Sequence, residues 1–140
     1  MVTIPMISIV DDDLSVREAT MDLFRAMGFT AEVFACAEDF LASELRDNTS
    51  CLISDMRMPG MSGLELHNRL VEAGTPIPTI LMTAFPNDID KASALQAGVV
   101  GYLTKPFNET ELLGFIHSLS RAPKPSRSTP RRARPGGPAG

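Results

Sequence analysis

The sequence predicts an α/β fold: an open, doubly wound sheet of five parallel strands with helices on both faces. Three observations predict it. Short apolar runs alternate with segments whose apolar residues recur at helical spacing, the pattern of β–α repeats joined by crossover helices. Glycines stand where three of the helical segments should stop. Acidic, hydroxyl and ammonium residues collect at or just past the ends of the apolar runs, where an open parallel sheet binds its ligands.

The first strand is expected at residues 6–10, and the following segment places Val16, Ala19, Leu23, Phe24 and Met27 on one helical face, with Gly28 as its stop. Residues 31–34 supply the second strand, and Phe40, Leu41 and Leu45 mark the second helix. The third strand spans 51–54; Leu64, Leu66, Leu70 and Val71 form the next helical stripe, ended by Gly74. Strand four is read at 80–83, followed by a helix with Ile89, Ala92, Leu95 and Gln96 and a stop at Gly98. The fifth strand covers 101–103. The last helix opens at Asn108, with Glu111 three residues on in a capping-box-like pair, and carries Leu112, Leu113, Phe115, Ile116 and Leu119.

A chain of 140 residues can bury a sizeable core in one domain. No apolar run approaches the roughly 20 residues of a membrane span, and the N-terminus lacks a secretory pattern. Cys36 and Cys51 show no metal or disulfide spacing, and Cys51 lies in an expected core strand, so a reduced, cytoplasmic protein is expected. The net charge of −4 hides an asymmetry: residues 1–120 hold 7 Lys/Arg against 17 Asp/Glu, whereas residues 121–140 hold six cations and no acid. That basic Pro/Arg/Gly tail has no large apolar residue and is expected to be disordered. The domain is therefore read as 1–120 and the tail as 121–140, with no membrane contact and no direct nucleic-acid binding by the domain.

The chemistry gathers at strand ends. Ile7-Ser8-Ile9-Val10 leads into Asp11, Asp12 and Asp13, and Cys51-Leu52-Ile53-Ser54 ends on Asp55. If these strands are neighbours, at least three acids meet, and clustered carboxylates need a cation, a shared proton or an ammonium. Mg²⁺ suits an Asp12–Asp55 pair supported by Asp11, because it takes few carboxylates and leaves positions for phosphate oxygens. Asp13 directly precedes the first helix and is expected to cap it. Lys105, before Pro106, is the expected cationic counterweight, and Thr83 offers a hydroxyl at the end of the fourth strand. A carboxylate beside Mg²⁺ and Lys can attack phosphorus and become an acyl phosphate. No Gly-rich loop followed by Lys is present, which argues against a nucleotide-hydrolysing enzyme. His67 and His117 are expected to be solvated helix residues, away from this constellation.

Four motifs together, Ile9-Val10-Asp11-Asp12-Asp13, Ile53-Ser54-Asp55-Met56-Arg57-Met58-Pro59-Gly60-Met61-Ser62-Gly63, Met82-Thr83-Ala84 and Tyr102-Leu103-Thr104-Lys105-Pro106-Phe107, closely resemble the receiver domain of two-component response regulators, in its FixJ-like branch. The resemblance covers roughly residues 4–120. It implies a flavodoxin-like sheet of order 2-1-3-4-5 and a phosphorylation-dependent switch. Asp55 matches the phosphoacceptor. Asp11 and Asp12 match the acid pair of the Mg²⁺ site, joined by Asp55 and the Arg57 main-chain carbonyl. Thr83 matches the switch hydroxyl, Ala84 a small position beside the phosphate, Lys105 the phosphate-binding lysine with a cis bond to Pro106, and Tyr102 the aromatic switch. The implied donor is a histidine kinase or phosphotransfer protein. Output is expected by protein–protein interaction, through a homodimer or a downstream protein on the face of the fourth helix, fifth strand and fifth helix. The resemblance implies a phosphoacceptor that catalyses its own phosphorylation and dephosphorylation rather than an enzyme acting on a substrate. A phosphatase of aspartyl type would want a general acid two residues past Asp55, where Arg57 stands.

The chain departs from the family pattern in places. Cys36-Ala37 replaces the Ser cap usual before the second helix. Phe85 is bulky, and with Arg57 it is expected to crowd the line of water attack on Asp55. Family members of this branch normally continue into a helix-turn-helix domain, whereas this sequence runs into the Pro/Arg tail; between a stand-alone receiver and a fragment, the opening Met and the tail favour the stand-alone expectation.

Overall fold

The computed structural model describes residues 6–105 and 109–121. The elements run β1 (Met6–Val10), α1 (Leu14–Ala26), β2 (Thr30–Phe34), α2 (Ala37–Ala42), β3 (Cys51–Asp55), α3 (Gly63–Glu72), β4 (Thr79–Thr83), α4 (Asp88–Gln96), β5 (Gly101–Thr104) and α5 (Glu109–Arg121), with a 3-10 turn at Glu44–Asn48 before β3. The five strands form one sheet of order β2-β1-β3-β4-β5, every pairing parallel. In the central strands, Ile9 faces Ile53, and Ile53 faces Ile80. Both faces are covered. That is why β3 and β4 are buried at all five positions and read as continuous apolar runs rather than alternating ones.

Side-chain alternation along the strands divides the core. Ile7, Ile9, Ile53, Ile80 and Met82 pack with Phe24 of α1 and with Leu112 and Ile116 of α5. On the opposite face Val10 and Leu52 pack with Phe40 of α2 and with Leu66 and Leu70 of α3. A smaller cluster of Met56, Leu81, Ala94 and Val99 seats α4. Helix ends follow their local chemistry. Asp13 caps α1, accepting from the Val16 N–H at 3.2 Å, and Ser62 with Glu65 closes a reciprocal capping box on α3. Gly28, Gly74 and Gly98 follow α1, α3 and α4 with φ of 92°, 78° and 94°, the left-handed conformation that leaves a terminal carbonyl bonded and ends the helix.

Two helical expectations are corrected. The second helix does not run through Leu45: α2 has six residues, and Ser43 is extended and caps the 3-10 turn through the Leu45 N–H. Cys36 makes no side-chain cap, as its replacement of Ser leads one to expect. In α4 the stripe Ile89, Ala92, Leu95 is not the packed face. Ile89 is 79% exposed and Leu95 49%, while Ala94 is fully buried. The helix docks through its small residue, which lets it approach the sheet closely. The Asn108 cap and the tail 122–140 lie outside the described residues.

Candidate functional site

Parallel pairing of β1 with β3 brings their carboxyl ends side by side, with Val10 opposite Ser54. Asp11 and Asp55 follow directly. Asp11 is completely buried, Asp55 is 8% exposed, and Asp12 stands in solvent at the rim. One carboxylate oxygen from each of Asp11, Asp12 and Asp55 lies within 4.8 Å of the others. The two buried acids are held differently. The Asp11 Oδ1 accepts the Asp13 N–H at 2.9 Å, and its main-chain carbonyl accepts from the Arg17 guanidinium at 2.8 Å. The Asp55 Oδ1 accepts the Arg57 N–H at 3.3 Å. Lys105, at the end of β5, donates from Nζ to Asp11 Oδ2 at 2.8 Å and to Asp55 Oδ2 at 3.0 Å.

Charge explains this arrangement. Burial pushes the Asp55 carboxyl above its ordinary range; the Lys105 hydrogen bond and charge and the Arg57 N–H only partly offset it, and the neighbouring Asp11 charge pushes it further up. For Lys105, burial alone favours the neutral amine. The bonds to Asp11 and Asp55 and their two charges outweigh it, so the ammonium is held above its usual range. Of the three clustered carboxylates, Asp11 and Asp55 pair with the one ammonium. A hard cation with oxygen ligands fits what remains, and the Arg57 carbonyl lies in the loop directly after Asp55.

Thr83 is buried at the end of β4, and its Oγ1 accepts the Phe85 N–H at 3.0 Å. Ala84 follows it, exposed. Lys105 N–H donates to the Thr83 carbonyl at 2.7 Å, which ties the lysine to the threonine's strand. Tyr102 on β5 is half-buried, and its hydroxyl is buried without a hydrogen-bond partner among the described residues. It borders a polar pocket of about 430 Å³ shared by Asn87, Asp88 and Lys91 of the α4 start, Thr104 of β5 and Glu111 of α5. The bond to Pro106 lies outside the described residues.

Three expectations change. Phe85 does not seal the pocket; its ring is 76% exposed, because the turn closed by the Thr83 hydroxyl directs it outwards. The Arg57 side chain is drawn to Asp90 at the start of α4 by an ion pair, rather than standing over Asp55. His67 is not solvated. It is 4% exposed, its Nδ1 is 3.1 Å from Thr79 Oγ1, and its Nε2 is 2.9 Å from the Ala97 carbonyl. A carbonyl only accepts, so Nε2 carries the proton. The position of His67, one past the buried Leu66 on α3, was a signal that sequence reasoning passed over. His117 is exposed, as expected.

Residues 7–117 match the family model for the response regulator receiver domain. The chain belongs to that family. The receiver is 42% identical over 127 residues to the response regulator protein TodT of Pseudomonas putida, covering 90% of this chain and 56% of TodT. Among solved structures it resembles FixJ-N, with 33% identity, a TM-score of 0.76, and coverage of 85% of this chain and 95% of that one. It also resembles the response regulator StyR, with 42% identity, a TM-score of 0.72, and coverage of 83% of this chain and 59% of StyR. The chain thus spans about half the length of the curated relatives it matches. It is a receiver domain of the response-regulator family, with the sheet order of that fold. Among the described residues, no helix is long and apolar enough to cross a membrane.

Proposed function

We propose that Asp55 accepts a phosphoryl group from a histidine kinase or phosphotransfer protein, and that the resulting acyl phosphate switches the surface formed by α4, β5 and α5. The observation that carries this reading is the pairing of one ammonium, Lys105, with both Asp11 and Asp55 inside a cluster of three carboxylates. An Asp55 oxygen forms the new bond to phosphorus as the bond to the donor's imidazole nitrogen, or to the carboxylate oxygen of a small acyl phosphate, breaks and its electron pair leaves with the donor. Asp11, Asp12, Asp55 and the Arg57 carbonyl would hold Mg²⁺, which when bound would neutralise charge on the incoming phosphoryl oxygens. Lys105 keeps its charge throughout and exchanges its bond to Asp55 for one to a phosphoryl oxygen. The Thr83 hydroxyl and the Ala84 N–H supply further donors. Movement of Thr83 towards the phosphoryl group vacates space beside Tyr102, whose unpartnered hydroxyl then finds a new place. Return by hydrolysis is catalysed by the same pocket. The output is a protein–protein contact, with a second copy or a downstream partner. We place this protein in the cytoplasm, with 1–120 as the functional domain and 121–140 as an appended basic tail.

Intact mass after incubation with Mg²⁺ and acetyl phosphate tests the assignment. Wild type should gain one phosphoryl group and Asp55→Asn none. Asp12→Ala should slow labelling far more than Asp13→Ala, since Asp13 caps α1. Labelling of Asp55→Asn at the wild-type rate would sink the assignment. Continuous release of phosphate without a lasting adduct would point to a phosphatase instead.

A further inference from the structure

Helix α4 is weakly anchored by apolar packing. Ala94 is its one fully buried residue, and Ile89 and Leu95 face solvent. Its N-terminal end is held by polar contacts centred on Asp90. The Asp90 Oδ2 pairs with the Arg57 guanidinium and accepts from Asn87 Nδ2 at 2.9 Å, while Asn87 Oδ1 caps the Asp90 N–H at 2.8 Å. Besides the two bonds of Lys105, ion pairs join Arg46 with Asp47, its chain neighbour, and Arg57 with Asp90. The latter joins the loop after β3 to α4, between residues 33 positions apart. The backbone of Arg57 is already part of the acid pocket, because its N–H donates to Asp55 Oδ1 at 3.3 Å. One residue therefore touches the pocket with its main chain and α4 with its side chain.

We propose that Asp90 is a positioning residue for the acid pocket. Through the Arg57 side chain it fixes the backbone segment that faces Asp55, and it ties cation binding there to the seating of α4. This rests on the reading of the pocket as a Mg²⁺ and phosphoryl site. Coupling of this kind is reciprocal: a change at the pocket that shifts the Arg57 backbone loosens the start of α4, and a contact that pulls Asp90 away loosens the pocket. Asn87 serves as the second support, orienting the carboxylate for Arg57. The pair is partly exposed, with the Arg57 side chain at 60% and that of Asp90 at 20%, so its effect is modest and sensitive to salt.

The test uses the full 140-residue chain, Mg²⁺ alone as the probe, and amide chemical shifts as the readout. The variants are Asp90→Asn, Arg57→Gln, their combination, and Arg57→Lys, with thermal melts to verify folding. Asp90→Asn and Arg57→Gln should each raise the Mg²⁺ concentration at half-saturation about two- to five-fold. The double variant should go no further than the larger single, since both remove one interaction. Arg57→Lys should retain most of the wild-type affinity. The differences should fade at about 1 M salt, where screening is complete within a few ångströms. In wild type, Mg²⁺ should shift the Asp90 and Lys91 amides, and in Asp90→Asn that response should be lost. Wild-type affinity and an intact α4 response in folded Asp90→Asn and Arg57→Gln would overturn the proposal, as would additive losses in the double variant. A wild-type chain that binds no Mg²⁺ would overturn the reading of the pocket itself, and this inference with it.

Discussion

Gly63 opens α3 directly behind the acid pocket, and replacing it with alanine should damage both stability and the site. A Cβ at this position would lie closer to the Asp55 carbonyl oxygen than real Cβ contacts come, 2.9 Å from Leu81 Cδ2 and 3.0 Å from Ser54 Oγ. Ordinary contact starts near 3.4 Å, so Leu81 must yield by about half an ångström and the Asp55 backbone by more. Neither can do so freely, because Leu81 and Ser54 are fully buried and Asp55 is in the ladder of β3. Overpacking of this kind costs about 3 kcal/mol at the upper end of its usual range. The better helix propensity of alanine returns up to about 1 kcal/mol, leaving a net loss of about 2 kcal/mol. For a domain of this size that is a fall in Tm of about 8 °C. Because the displaced atom belongs to Asp55, acetyl phosphate labelling should also slow. Gly114→Ala is the control: nothing lies within 4 Å of its Cβ on α5, so it should gain about 1 kcal/mol from helix propensity alone. Scanning calorimetry of both variants decides the matter. A Gly63→Ala protein as stable as wild type would refute the steric reasoning.

Four further outcomes are expected. His67→Phe leaves the Ala97 carbonyl without its donor and should lower stability by about 2 kcal/mol in urea unfolding, while acetyl phosphate labelling stays near wild type. Cys36→Ser restores a side-chain acceptor at the uncapped start of α2 and should raise stability by about 0.5–1 kcal/mol, read as a higher Tm. Burial pushes the Cys51 thiol up to about 12, so between pH 9 and 12 the unfolded chain loses a proton that the folded chain keeps. Stability should therefore fall by up to about 1.4 kcal/mol per pH unit there, and Cys51→Val should show a flatter alkaline limb in urea unfolding. The Asp55 carboxyl is raised in the fold, so as pH rises from 3.8 the folded protein holds a proton that the unfolded chain has lost, and the contribution of Asp55 turns destabilising. Asp55→Asn, which resembles the protonated form, should thus become more stable than wild type as pH rises towards neutrality without Mg²⁺, and added Mg²⁺ should narrow the gap; a gap independent of pH in thermal melts would contradict this.

The strands were legible because burial on both faces demands continuous apolar runs, and β1, β3 and β4 read as such. The glycine stops were legible because only a left-handed residue ends those helices cheaply. The bringing together of Asp11, Asp12, Asp55 and Lys105 was also legible, since parallel strands deliver their last residues to the same edge. Their roles in phosphoryl transfer are a further step that labelling must decide. What failed was the assumption that an apolar stripe faces inwards. Ile89 and Leu95 of α4 have helical spacing, yet the helix packs through Ala94, and a buried alanine carries no periodic signal of its own.

His67 and Arg57 were misread for a common reason: each acts through a partner distant in sequence. The partners of His67, Thr79 and Ala97, lie 12 and 30 positions away, and the acid that takes the Arg57 side chain lies 33 away. A polar residue's role follows from the donor or acceptor opposite it, and local pattern contains no record of that group. The consequence for α4 is physical. At its C-terminal end His67 donates to the Ala97 carbonyl from a buried position, while at its N-terminal end Arg57 and Asp90 pair near solvent. A buried hydrogen bond is costly to leave unmade, whereas an exposed ion pair exchanges readily with water and salt. The helix is thus held firmly at the end remote from the acid pocket and loosely at the end that touches it. That is the asymmetry a switch needs if changes at Asp55 are to move one end of α4 without detaching the other.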